Sequence, residues 1–231
     1  MVNTAVLWTG GKDCCLALHE VNSQRHTVSA LVTFIPAEGD FVAHPLSIIR
    51  AQAQALNLPL LEVIIQYPYR ESYVRAICEL KNDKSIDCLV TGDIDLVEQR
   101  PNWIRECCAG TGMEVLTPLW QQPRKSLLDR LSFFQVDARI SCIRTVFLGT
   151  GWLNRKLDKH SILELEELHQ QHQIDICGEN GEFHTVVLDA QLFQKRIELT
   201  SISEIKDMGM SYLKINELQI LEKVNQWSLF T

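Results

Sequence analysis

The chain lacks any apolar run approaching the ~20 residues that a bilayer span requires. Its opening, Met1-Val2-Asn3-Thr4, carries neither the basic segment nor the apolar stretch of a secretory leader, so the expectation is a cytoplasmic protein without a membrane partner. Positive charge is also in short supply. Twenty-two Lys and Arg face 29 Asp and Glu, a formal charge of -7, which repels a polyanionic duplex unless one face is locally basic. Nucleic acid is therefore disfavoured as a partner. Glycine and proline are few, 11 and 7 among 231 residues, while 46% are hydrophobic, and this excludes fibrous and disordered classes. What the 8 cysteines lack is spacing: the adjacent pairs Cys14-Cys15 and Cys107-Cys108 are not the C-x2-C arrangement with which two thiolates grip one tetrahedral ion. A chain this long needs no covalent staples either, so most of these thiols are expected as small buried hydrophobes in a reducing compartment.

What is present is an alternation. An apolar run over residues 4–8 stops at Thr9-Gly10-Gly11, after which Leu16, Ala17 and Val21 recur at helical spacing. Strand-like runs follow at 28–35, 60–65, 88–91 and 114–117, separated by helical patterns at 46–56, 72–80 and 103–109. Strands that alternate with helices pair in parallel, because a crossover must return the chain in the same direction. The expected fold is α/β, a doubly wound, mostly parallel sheet over residues 1–122 followed by a smaller α+β domain over 123–231, with Pro118 and Pro123 punctuating the passage. In the second unit a helix is expected at 125–134, extended chain at 138–148, and a helix at 161–172 whose Ser161 and Glu164 are spaced as a capping box. Strands are expected at 183–188, 196–199 and 211–221, and Trp103, Trp120 and Trp152 as packing residues.

The segment Thr9-Gly10-Gly11-Lys12-Asp13-Cys14 sits where the first strand becomes the first helix. Glycines let backbone N–H groups approach an oxyanion, and the helix presents its unsatisfied N–H groups and positive dipole end to the same anion. Thr9 adds a hydroxyl donor, Lys12 a neutralising charge, and Asp13 a carboxylate suited to Mg2+ bridging phosphate oxygens. A Walker loop is excluded, since Asp13 follows Gly11-Lys12 and Val6 stands where its first glycine belongs; the adjacent glycines also fail the dinucleotide fingerprint. A plain tight βα turn, for which Gly-Gly needs no ligand, is the weaker alternative. Asp93, after the 88–91 strand, belongs at a carboxyl strand end beside Thr9, where open parallel sheets bind ligands, or caps the next helix. Arg100 is within range of a phosphate or substrate carboxylate, and His44-Pro45 precedes a helix.

Thr9 to Cys14 resembles the S-G-G-x-D-S pyrophosphate loop of the adenine-nucleotide α-hydrolase-like ATP pyrophosphatases, whose sheet is Rossmann-like. Gly178-Glu179-Asn180-Gly181-Glu182-Phe183-His184-Thr185 is similar to the G-E-x-G-E-[FY]-x-T signature of the diphthine–ammonia ligase family. Gly92-Asp93-Ile94, Leu116-Thr117-Pro118-Leu119-Trp120 and Asp137-Ala138-Arg139 also resemble that family, so the likeness covers nearly the whole chain. Cys14 and His184 stand where that pattern usually carries Ser and often Glu.

The resemblance implies an ATP-dependent ligase that activates a carboxylate, that of diphthine on elongation factor 2, as an acyl-adenylate for attack by free ammonia. On that reading Thr9, Gly10, Gly11, Lys12, Asp13, Cys14, Gly92 and Asp93 bind the nucleotide, with Mg2+ on Asp13. Arg100, Glu179, Glu182, His184 and Thr185 meet the substrate. Glu179 and Glu182 hold an ammonium or cationic group, one of them accepting a proton if burial raises its pKa. Without the resemblance, the two glutamates read as a solvated acidic turn. The alternatives are a divergent relative acting on another substrate, by amidation or tRNA thiolation, and a nucleotide-binding regulator. Thiolation calls for paired cysteines and a basic RNA face. A cleft between two units can also be completed by a second copy, which leaves a homo-oligomer open.

Overall fold

A strand with parallel neighbours on both sides and helices above and below has no solvent face, and Thr4, Ala5 and Val6 of β1 (Thr4–Leu7) are accordingly buried. The computed structural model describes residues 2–38, 43–96 and 102–223. β1 pairs in parallel with β2 (Val28–Pro36) on one side and β4 (Cys88–Val90) on the other. β3 (Leu60–Ile65) extends the sheet beyond β2 and β5 (Glu114–Leu116) beyond β4, giving the order β3-β2-β1-β4-β5. The crossovers are supplied by α1 (Lys12–Ser23), α2 (Leu46–Leu56), α3 (Tyr69–Lys84) and α4 (Trp103–Cys108). The chain winds from β1 to β3 and then returns to the other side of β1 at β4. The carboxyl ends of β1 and β4 therefore flank the switch point at which such sheets open a crevice.

α5 (Arg124–Phe133) starts after Pro123, which is compatible with a helix start because proline cannot donate to a preceding turn. Its Leu127, Leu128 and Leu131 fall on one face and are buried, each worth about 2 kcal/mol on removal from water. Beyond it, β6 (Asp137–Arg144), β7 (Phe183–Asp189), β8 (Lys195–Asp207) and β9 (Met210–Glu222) form an antiparallel sheet of order β7-β6-β9-β8, with α6 (Lys159–His172) between β6 and β7. The doubly wound sheet and the α+β remainder are thus both present. One apolar cluster runs from Val6 and Trp8 through α1, α2 and α5 to Val186 and Val187 of β7, so the two units share a core. A second cluster, including Ala5, Val32, Ile77, Leu89 and Cys107, covers the other face of the parallel sheet. We propose the division between the units at residues 122 and 123, where Pro123 opens α5.

Several elements differ from their sequence pattern. α3 begins at Tyr69, directly after Pro68, rather than at residue 72. β6 stops at Arg144, because Phe147 N and Leu148 N turn back to donate to Arg144 O. The α6 box is Asp158 with Ser161, not Ser161 with Glu164: Asp158 Oδ1 accepts from Ser161 N at 3.0 Å and Ser161 Oγ accepts from Asp158 N at 2.9 Å. Glu164 instead takes both guanidinium nitrogens of Arg155 at 2.7 Å. β8 runs to Asp207 because its polar second half pairs with β9 through Asp207 and Met210. Trp152 is buried as expected, whereas Trp103 keeps 41% exposure and sets its edge against Tyr73. All eight thiols are free and only Cys78 is not buried; burial pushes Cys108, Cys142 and Cys177 up to about 12, so they stay protonated. Among the described residues, no helix is long and apolar enough to cross a membrane.

Candidate functional site

The turn from β1 into α1 is fixed by a buried amide. Gly10 has φ +82°, a left-handed conformation open to glycine, and a Cβ there would stand 2.7 Å from Gln52 Oε1. Gln52, with 0% exposure on the apolar face of α2, accepts from Trp8 Nε1 at 2.8 Å. Its Nε2 donates to Gly10 O at 2.9 Å and to Val187 O at 2.7 Å, while Val187 N also donates to Gly10 O at 2.9 Å. The loop carbonyl is thereby turned into the protein and tied to β7. Gln52→Leu strands Trp8 Nε1 and Val187 O without partners, so roughly 3 kcal/mol of stability is expected to go, read as a lower urea midpoint. Gly92, at the end of β4, lies so close to α1 that a Cβ would meet Asp13 C and Cys14 N at 2.6 Å.

Lys12 N donates to Thr185 Oγ1 at 3.0 Å, so β7 caps the start of α1. Lys12 Nζ, with 4% residue exposure, is held by Asp13 Oδ2 at 2.8 Å and Cys177 O at 2.6 Å. Burial acts to lower the Lys12 pKa, but Asp13, Cys177 and Glu179 outweigh it and the net shift is upward, which keeps the ammonium charged. Cys14 turns its thiol back on the loop, donating to Gly11 O at 3.1 Å, and burial raises its pKa. Among the described residues, Asp13 Oδ1 is buried and finds no hydrogen-bond partner.

Two cavities meet here. One of about 380 Å³ opens at the carboxyl ends of β1, β2 and β4, against Thr9, Cys14, Phe34, Tyr73, Gly92 and Asp93. The other, of about 220 Å³, lies against Gly11, Lys12, His44, Phe183, His184 and Thr185. Thr9, Asp13 and Glu179 line both. Larger grooves along β3 contain none of these loop residues.

Glu179 and Glu182 are placed differently. Burial raises the Glu179 pKa to about 7; Lys12 opposes this, Asp13 and Asp175 add to it, and Arg124 opposes it weakly. Glu182, 2% exposed, faces its own loop: it accepts from Asp175 N at 2.7 Å, Asn180 N at 3.0 Å and Asn180 Nδ2 at 3.3 Å. Its carboxylate thus shapes the turn, and neither cavity lining includes it. His184 and His44 meet edge to face with ring centroids 5.2 Å apart. Burial lowers both pKa values, that of His44 to about 4, with the neighbouring imidazole adding to the effect at His44 and Lys12 at His184. The exposed Asp93 accepts from Asn102 Nδ2, and Asn102 Oδ1 in turn accepts from Arg105 N at 2.9 Å to cap α4. Arg100 lies outside the described residues.

Sequence patterns alone missed Gln52 and a latch at Arg124. Arg124 Nε reaches Asp175 Oδ2 at 2.9 Å and its Nη2 reaches Asp95 Oδ2 at 3.0 Å, joining the loop after β4 to the glutamate-bearing loop. A visible signal existed for Gln52, a polar residue three and four positions after Ile49 and Ile48 on an apolar stripe.

Among the described residues, no group of three or more His, Cys, Asp or Glu side chains can hold a metal ion. The unpartnered Asp13 Oδ1 fits Mg2+ of the kind that arrives with phosphate, held by one carboxylate together with phosphate oxygens and water.

Residues 2–115 match the family model described as the diphthamide synthase N-terminal domain, and residues 124–221 match the diphthamide synthase C-terminal domain. The diphthine–ammonia ligase of Mus musculus is 25% identical over 260 residues, covering 97% of this chain and 94% of that protein. That of Homo sapiens is 26% identical with the same two coverages. The diphthine–ammonia ligase of Schizosaccharomyces pombe is 28% identical over 90% of this chain, which spans only 38% of that longer protein. A solved structure, a predicted subunit of tRNA methyltransferase from Methanocaldococcus jannaschii, superposes with a TM-score of 0.48 at 15% identity, covering 82% of this chain and 98% of that one.

Proposed function

From the membership of this chain in the diphthamide synthase family, we propose that it is an ATP-dependent C–N ligase that amidates a carboxylate with ammonia, the carboxylate being that of diphthine on elongation factor 2. The observation that carries the reading is the meeting of two cavities at Thr9, Asp13 and Glu179, with the glycine turn between them. A nucleoside fits the larger cavity at the switch point, and the carboxylate and amine fit the smaller one.

Amide formation from a carboxylate in water is uphill, so the carboxylate oxygen first attacks the α-phosphorus of ATP and pyrophosphate leaves. The dipole of α1 and the N–H groups of its first turn beyond Lys12, whose own N–H is taken by Thr185, stabilise the charge that builds on the departing phosphates. Gln52, Val187 and Thr185 hold the turn in place, so little reorganisation is needed at that moment. When Mg2+ is bound with ATP, Asp13 holds it and its charge neutralises phosphate oxygens. Lys12, locked to Asp13 and Cys177 O, keeps a fixed positive charge at the junction. Ammonia then attacks the acyl carbon, AMP departs, and Glu179 accepts the proton from nitrogen. Gly92 lets the β4 loop approach α1, and Glu182 positions Glu179 by shaping their shared turn.

The test supplies ATP, Mg2+, ammonium chloride and elongation factor 2 bearing diphthine. AMP and pyrophosphate are expected in equal amounts, together with one amide per turnover detected by mass spectrometry. Release of ADP and phosphate overturns the acyl-adenylate route.

A further inference from the structure

One charged side chain beside the site plays no part in the steps above. Arg124, the first residue of α5, reaches two different loops: Nε donates to Asp175 Oδ2 at 2.9 Å and Nη2 to Asp95 Oδ2 at 3.0 Å. Asp175 lies in the loop that carries Glu179, and Asp95 follows closely on Asp93, which lines the larger cavity. We propose that Arg124 is a positioning residue that, by bridging Asp175 and Asp95, holds the Glu179 carboxylate at the junction of the two cavities. This rests on the ligase reading given above and deepens it by naming what sets the proton acceptor in place.

The glutamate loop is held from two sides. On the inner side Lys12 Nζ donates to Cys177 O at 2.6 Å. On the outer side the tie is Asp175: its Oδ1 accepts from Cys177 N at 2.7 Å and its own N donates to Glu182 Oε1 at 2.7 Å, which leaves Oδ2 for Arg124. A swing of Asp175 is therefore passed to both ends of the short segment on which Glu179 sits. Removing the guanidinium also leaves the Asp175 charge uncompensated near Glu179 and Asp13, and like charges at that range push the loop outward. The nucleotide side has an anchor of its own, since the fully buried Ile94 accepts from Gln121 N at 2.7 Å and Gly92 packs against α1. Cutting the bridge thus moves the glutamate loop rather than the cavity wall. The arms differ in shelter as well: the Asp175 side chain is 13% exposed and that of Asp95 37%, so water screens the Asp175 arm less. A guanidinium suits the task because its planar fork presents several donors at fixed angles, whereas an ammonium is a single point of charge.

Arg124→Met keeps the apolar stem and removes both donors, whereas Arg124→Lys keeps the charge. In the full reaction, with each variant shown to be folded by a thermal melt, Arg124→Met is expected to lower kcat roughly tenfold while the KM for ATP stays within about twofold. Arg124→Lys is expected to recover part of the loss. A residue that acts through Glu179 has little to act on once that carboxylate is gone, so adding Arg124→Met to Glu179→Gln is expected to cost less than about twofold. Asp175→Asn, which cuts the more sheltered arm, gives the same pattern and serves if Arg124→Met does not fold. An equal loss of kcat in both backgrounds overturns the proposal, since Arg124 then acts apart from Glu179. So does an unchanged kcat, since the bridge then only supports the fold, and so does a matching rise in the KM for ATP, since it then serves the nucleotide. If the unsubstituted protein releases no AMP from ATP with the diphthine substrate, the ligase reading fails and the positioning role with it; turnover by that protein together with any of those results removes the positioning role alone.

Discussion

Asp13→Asn is expected to lower AMP release by at least about a hundredfold, measured under saturating ATP, Mg2+ and diphthine substrate. Two functions end with one charge. The amide keeps the shape of the carboxylate but loses the charge that, on the proposed reading, Oδ1 would offer to Mg2+ at the junction of the two cavities. It also loses the charge that Oδ2 supplies to Lys12 at 2.8 Å. Lys12 then keeps Cys177 O and the nearby Glu179 but no direct ion pair, so the fold is expected to weaken by about 2 kcal/mol. A thermal melt separates the two effects: the protein remains folded at the assay temperature while turnover disappears. Full activity in the variant removes Asp13 from the phosphate chemistry.

Glu179→Gln is expected to cost about a hundredfold or more in kcat and to erase the acidic limb of the pH profile. In the unsubstituted protein the carboxylate must be ionised to accept a proton, so at saturating free ammonia kcat climbs as pH rises through about 7 and levels above it. Stability runs the other way. The folded pKa of about 7 lies above the ordinary 4.5, so the fold binds a proton that the unfolded chain has already released. Stability linked to this group is fully present below 4.5 and is lost as pH rises through 7. The glutamine variant, which has no charge to bury, is expected to be more resistant to urea than the parent at pH 8 and above. An inactive but stabilised variant is the signature of a carboxylate placed for chemistry at the expense of the fold.

The parallel half was legible because its strands are short apolar runs bounded by glycine, proline or polar residues, and a buried parallel sheet writes itself that way. The glycine turn was legible for the same reason, falling between an apolar run and a helical pattern. The differing places of Glu179 and Glu182 were not. Both are glutamates beside glycine, and what separates them is where the amides of Asp175 and Asn180 point, which depends on left-handed Gly178 and Gly181 and on the packing beneath the loop. The His44–His184 contact joins residues far apart in the chain, and nothing local to either announces the other. The Arg124 latch is likewise a tertiary fact, since Asp95 and Asp175 lie on loops that only the folded core brings together. The α6 start shows a subtler limit: a Ser and a Glu at the right spacing were present, but Asp158, one turn earlier, is a better cap and wins the amides.

The turn after β1 is fastened by Val187 and Thr185, residues synthesised long after it. A nascent chain halted before β7 emerges from the ribosome would carry every glycine of that turn and, of its three anchors, only Gln52. The final geometry of the turn therefore waits on a strand of the other unit.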